Sequence, residues 1–484
     1  MTSSPLDRAS HAHPLVPSRR RRRLVVPGLA LVSAALVLTG CSGSPAAAPS
    51  SSAASSAVSA APSSSAASSA VPSAPSSSVA SSAVSSSAVS SAPSSSAASS
   101  PVSSGTVSSS TSPSSTGSAV PGLDAKGCIE HYDAATDYFP TKLSIDHSSA
   151  LQISYRKSFQ VLTVTPPGGT AETYVLVRCG APKPALSGDL ADAQLVTTPV
   201  TKLYSASTTH LPSLVALDRL NTVAGVSSAA FVSEPVVLQY FSKNKPVEFA
   251  PTGTIDAETV ITGKPQVLIG GGFADAADGK LEAAGIPVLQ DLDAQEPTPL
   301  GQAEWIKFFG ALTGTESAAT AEFDAIATEY QRLVALTKSA DKVLVVPNQP
   351  YQGEWYVPGG KSNKQQLLAD AGARTANSQD GVTGSVKTSF EKVFATSAKA
   401  PVWIASTTWT SESDALKEDP RFARFAAFST HQVWNPIKGV TAAGGNPYYE
   451  LGGLRVDLAL ADLIAIVHPD LLPEHTLTFY QRLS

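Results

Sequence analysis

Three kinds of patterning divide this chain. Residues 24–38 form an apolar run, interrupted only by Ser33, behind five arginines, Arg19 to Arg23. Residues 42–123 are almost wholly Ser, Ala, Pro and Val, without one charged or aromatic side chain. From residue 123 the pattern becomes periodic. Leu151, Ile153 and Tyr155 alternate with polar neighbours, and the runs 159–164 and 174–177 flank the turn signal Pro166-Pro-Gly-Gly169. That spacing predicts an antiparallel hairpin within a β-rich extension at 123–199. From about residue 201 short apolar runs alternate with helical segments. Leu203 precedes a helix near 211–220 and a strand at 223–226; a strand at 267–269 precedes a helix near 275–284 and a strand at 286–289. Such alternation builds parallel sheet. Phe323, Ile326, Tyr330 and Leu333 make one stripe at helical spacing, so a long core-facing helix is expected over 317–336. The alternation restarts with strands at 343–346, 401–404 and 433–434, and a helix near 454–467 closes the chain. The expected fold is α/β: parallel-sheet lobes at 200–315 and 339–484, joined by one long helix at 316–338, with the β-rich extension in front and a cleft between the lobes.

The first two segments decide the compartment. A basic stretch, a short apolar run and small residues are the parts of a secretory signal, here residues 1–40. The run of about 15 residues is shorter than the roughly 20 needed to span a bilayer. Leu38-Thr39-Gly40-Cys41 resembles the bacterial lipobox. That resemblance implies an acylated Cys41 as the first mature residue and a protein anchored to the cell membrane on its outer side. Residues 41–122 hold too little apolar surface to offset the entropy of ordering and are expected to be a disordered tether. A flexible chain of that length spans roughly 50 Å.

Charge narrows the partners. The whole chain carries −5, and residues 1–40 hold six Arg and one Asp, so the remainder carries −10. This excludes nucleic acid and a polybasic membrane surface as partners. Of three cysteines, Cys41 is assigned to the lipid. Cys128 and Cys179, in an oxidising setting, either form a disulfide or remain two buried thiols.

The two lobes echo each other. Glu258-Thr-Val-Ile precedes Lys264-Pro-Gln-Val-Leu-Ile269, and Glu391-Lys-Val-Phe precedes Ala400-Pro-Val-Trp-Ile404. Together with Leu211-Pro-Ser-Leu-Val-Ala-Leu217, Val223-Ala-Gly-Val226 and the closing run from Gly444-Gly-Asn-Pro-Tyr-Tyr-Glu450 to Tyr480-Gln-Arg-Leu483, these motifs resemble the periplasmic-binding-protein class with a single interlobe helix. The resemblance covers about 200–484. It implies a monomeric, non-enzymatic receptor without a cofactor. Such a receptor captures a metal chelate such as an iron siderophore, haem or a corrinoid (vitamin B12 type) and delivers it to an ABC permease. It also implies that Glu258 and Glu391 dock on arginines of the two permease subunits; the plainer role of each is a first-turn glutamate favoured by the helix dipole.

Ligands of open α/β sheets sit beyond the carboxyl ends of the strands. Candidate ligand contacts are therefore His210, Phe273, Trp355, Tyr356, Trp409, Asn446 and Tyr448. The stretch from Tyr351 to Tyr356 reads as a loop, where aromatic rings need a ligand or another lobe to cover them. Each ring could equally pack within its own lobe. Lys361 and Arg374 read as surface charge, with neutralising an anionic ligand as the other role. Histidine spacing gives no metal motif, so a bare Zn or Mn site would rest on His210 and His431 alone. Gly359-Gly-Lys-Ser362 ends like a phosphate-binding loop, but its first glycine would fall at Trp355. No G-x-S-x-G elbow and no C-x-x-C occurs. The alternatives to a transport receptor are a surface-anchored binding or adhesion module and a bare Zn/Mn-binding protein.

Overall fold

A computed structural model describes residues 122–376 and 379–484. The signal peptide, the tether and the acylated Cys41 expected from the sequence lie outside the described residues.

The N-terminal sheet contains β1 (Leu151–Tyr155), β2 (Phe159–Val164), β3 (Glu172–Arg178) and β4 (Gln194–Thr198), in that spatial order. The first three strands are antiparallel, with Ile153 opposite Leu162 and Val161 opposite Val175. β4 adds to β3 in parallel, a strand the sequence pattern does not announce. Cys128 and Cys179 are disulfide-bonded, fastening the entering chain to the end of β3.

This sheet is not a separate domain. Leu162, Leu176 and Val196 share one hydrophobic core with Leu203, Ile269 and the long helix. Two buried glutamates bolt the loop before β1 to the first lobe. Glu304 accepts from the backbone N–H groups of Asp146, His147 and Ser148, and Glu296 accepts from those of Ser149 and Ala150. Lys307, itself buried, donates to Glu304 at 2.7 Å and to the Ser144 carbonyl.

The first lobe is a parallel sheet of β5 (Leu203–Ser205), β6 (Val223–Val226), β7 (Val247–Glu248), β8 (Val267–Gly270) and β9 (Val288–Gln290). Their order is β7-β6-β5-β8-β9. β5 and β8 are wholly buried because helices cover both faces of a parallel sheet. The long helix runs Glu316–Thr337 and buries Phe323, Ile326, Tyr330 and Leu333.

The second lobe contains β10 (Val343–Pro347), β11 (Pro350–Tyr351), β12 (Glu354–Pro358), β13 (Ala373–Arg374), β14 (Ser385–Thr388), β15 (Val402–Ile404), β16 (Val433–Asn435) and β17 (Gln481–Arg482). The main sheet has the order β13-β10-β15-β16-β17, parallel apart from the last pair. β11, β12 and β14 form a second, antiparallel sheet. The stretch 351–356, read from sequence as a loop, is therefore part of a hairpin. The closing helix Val456–Val467 packs on the long helix. Its buried Asp462 seats the C-terminal strap, accepting from the N–H groups of Thr478, Phe479 and Tyr480 and from His475.

Candidate functional site

Of the segments that leave the carboxyl ends of strands, six follow the central strands: 206–209, 227–231 and 271–274 in the first lobe, and 348–351, 405–409 and 436–446 in the second; the edge segment 291–298 adds the carboxylates Asp291, Asp293 and Glu296. The six are built from Ser, Thr, Gly, Ala and a few aromatics. One side chain among them carries charge, Lys438, and its ammonium donates to the Leu477 carbonyl. The described residues include six well-exposed aromatics: Tyr132, Phe231, Phe273, Tyr351, Tyr356 and Tyr449. All except Tyr132 stand on these segments or on the elements that spring from them. Exposed rings cost solvation unless something covers them.

The two rims meet at Gly445. A Cβ there would lie 2.7 Å from the Val232 carbonyl oxygen, so only glycine permits this approach. Beside it Glu450, on the helix Pro447–Leu451, is buried and accepts from the Ser233 and Glu234 backbone N–H groups and from the Ser233 hydroxyl. Glu450 thus latches the C-terminal segment to the first lobe. Tyr449, one residue earlier on the same short helix, points elsewhere: its hydroxyl meets Ser406 Oγ at 3.0 Å and more than half of the residue is exposed.

The residues proposed from sequence separate into two groups. Phe273 is 74% exposed, and Tyr356 is 39% exposed on β12. Tyr448 is half-buried against Phe479, Tyr480 and the Lys364 ammonium. Trp355 and Trp409 need correcting. Trp355 is fully buried, stacked 5.5 Å from Trp403 with its indole N–H on the Pro347 carbonyl. Trp409 lies edge-on to Trp403 and donates to Glu418. Both belong to an aromatic core with Phe390, Phe422, Phe425 and Phe428, because the hairpin folds Trp355 inward onto its own lobe. Asn446 is also structural: its Oδ1 caps the helix through the Tyr448 N–H and its amide donates to the Pro436 carbonyl. Sequence reasoning passed over Phe231 and Tyr449, and it noted Tyr351 only as the start of an aromatic stretch. Position after a strand end could have found Phe231. Nothing in the pair Tyr448-Tyr449 says which ring faces out, since neighbours on a helix point about 100° apart.

His210 is buried beneath the rim rather than on it. The Ser205 hydroxyl donates to the Ser207 carbonyl, so the consistent assignment has His210 Nδ1–H donating to Ser205 Oγ at 2.8 Å. Nε2 then carries only a lone pair, unpartnered, with Asp291 Oδ2 3.6 Å away. Burial draws the His210 pKa down to about 3 and raises that of Asp291. Burial also raises neighbouring Asp293, to about 6. His431 is exposed and paired with Glu412, so it does not join His210.

A pH dependence follows. The imidazole is held at about 3 in the fold against 6.5 ordinarily, so its contribution to stability is intact above pH 6.5 and drains away as pH falls toward 3. A His210→Leu chain loses less melting temperature than the parent as pH drops below 6.5. Parallel melting curves for the two proteins would mean that the folded imidazole is already charged.

Glu258 and Glu391 occupy matching places. Each stands in the first turn of a helix, Ala257–Gly263 or Phe390–Ser397, behind an N-cap, Asp256 or Ser389, whose side chain accepts a backbone N–H. Both carboxylates are exposed and lightly paired, Glu258 with Lys280 at 2.6 Å and Glu391 with Arg421 at 3.3 Å.

Two parallel-sheet lobes on one long helix, opening at their strand ends, define a solute-binding fold. Residues 205–435 match the family described as periplasmic binding protein. This is a family of binding proteins, not of enzymes. Two uncharacterized lipoproteins of Methanocaldococcus jannaschii are similar to the chain. One is 26% identical over 293 residues, covering 57% of this chain and 67% of its own length. The other is 23% identical over 394 residues, covering 74% and 95%. A solved periplasmic binding protein from Veillonella parvula aligns with 66% of this chain and 99% of its own at 15% identity, with a TM-score of 0.46.

Proposed function

We propose that this protein is an extracytoplasmic receptor, anchored through an acylated Cys41, that captures a metal chelate in the interlobe cleft and hands it to an ABC permease. The chelate classes that suit the cleft are an iron siderophore, haem or a corrinoid. The observation that carries the reading is the set of exposed rings Phe231, Phe273, Tyr351, Tyr356 and Tyr449, which stand on or just beyond hydroxyl-bearing strand-end segments almost without charge. Flat rings with polar handles suit a large conjugated or ring-shaped ligand. The lipobox-like Cys41 and the lipoprotein names of both relatives support the anchoring. Glu258 and Glu391 would exchange Lys280 and Arg421 for permease guanidinium groups.

The test is a calorimetric titration of the purified chain with haem, cobalamin and ferric siderophores. One of them binds saturably, and Tyr351→Ala combined with Tyr449→Ala weakens it by at least about tenfold, each lost ring being worth roughly 1–3 kcal/mol. Trp355→Ala behaves oppositely: it lowers stability by about 3–5 kcal/mol, as for a large buried ring, and leaves the affinity of the folded fraction unchanged. Binding of no chelate would defeat the proposal. Loss of affinity in folded Trp355→Ala would return that residue to the cleft.

A further inference from the structure

A cavity of about 780 Å³ opens on the flank of the second lobe, along the helix Asn363–Asp370, with Pro297 and Thr298 of the first lobe on its far side. It shares no lining residue with the six rim segments. Its charge is one-sided: Lys342, Lys361 and Arg374 line it and, among the described residues, no carboxylate does. The folded part of the chain carries −10, so three cations around one hollow invert the local balance. None of the three takes part in an ion pair among the described residues. Lys342 donates to the Ala369 carbonyl at 2.8 Å, and its charge also reaches the Asp370 carboxylate, so Lys361 and Arg374 are the freer cations of the three. Gln365, only 2% exposed, adds a second and independent sign. Its Oε1 accepts from the Thr375 hydroxyl at 2.6 Å, and its Nε2 donor is left with no partner. A buried donor without an acceptor costs stability unless something completes it.

We propose that this cavity is a second binding site, separate from the cleft, for a small multivalent oxyanion. The planar guanidinium of Arg374 takes two oxygens at once, the two ammonium groups supply further donors, and occupancy relieves the repulsion among three like charges. Phosphate esters and polycarboxylates share this chemistry.

The experiment is calorimetry on the full mature chain with pyrophosphate and, separately, citrate, at low and high salt. Saturable one-to-one binding that weakens with salt is expected from at least one probe, and the tighter probe names the source of the oxygens. Lys361→Ala combined with Arg374→Ala weakens it by at least about tenfold, since hydrogen bonds to charged groups are being removed. Both residues are exposed, so the double variant keeps its melting temperature. Tyr351→Ala with Tyr449→Ala leaves oxyanion binding unchanged. Heat from neither probe, or equal affinity in the double cation variant, overturns the proposal.

Discussion

Uptake of the ligand stops when Glu258 and Glu391 are both replaced by arginine, while ligand affinity of the purified chain stays where it was. The two carboxylates lie in opposite lobes, on helices that begin the same way, and each is well exposed. A carboxylate facing a guanidinium gains a bidentate, charge-assisted pair; an arginine facing it meets like charge, and the cost falls on docking alone. Neither residue touches the rim segments, so the cleft is untouched. Two reversed contacts at about 2–5 kcal/mol each remove any useful residence on the permease. The readout pairs cellular uptake with calorimetry on the same variant. Normal uptake by the double variant would remove both glutamates from the docking surface. Rescue by glutamate at matching permease arginines would identify the partners.

Glu304→Ala costs the fold about 3–5 kcal/mol, the cost of breaking a buried ion pair. Glu304 is fully buried and holds three backbone N–H groups of residues 146–148 together with Lys307. Removing it strands the Lys307 ammonium and leaves those donors unpaired. Glu304→Gln keeps the size and one acceptor and falls between parent and alanine. Hydrogen exchange locates the effect: protection drops first in the loop before β1 and in the N-terminal sheet. A melting temperature equal to the parent's would mean that the loop finds its own partners without the carboxylate.

The α/β class and the long helix were legible because both rest on periodicity. Phe323, Ile326, Tyr330 and Leu333 recur every three or four residues, and helical spacing of that kind has few other causes. β4 was hidden because Gln194-Leu-Val-Thr-Thr198 alternates weakly and pairs with a strand nearly twenty residues away. The candidate site could be outlined from strand ends alone, but the direction of each ring depended on packing between distant segments. Trp355 turned inward because β12 pairs with β14, some thirty residues on, and brings the indole onto Trp403. Glu296 and Glu304 look like surface carboxylates in sequence; only the fold brings residues 146–150 over them.

The Cys128–Cys179 bond also sets how the body answers tension. Pulling on the chain before Leu123 can straighten only the few residues up to Cys128, whose full extended length is about 20 Å at some 3.5 Å each. Beyond that point the load passes through the sulfurs to the end of β3, an interior strand of its sheet, and bypasses the residues between the two cysteines. A receptor held by its leading end can thus be tugged without its front sheet being unzipped from β1.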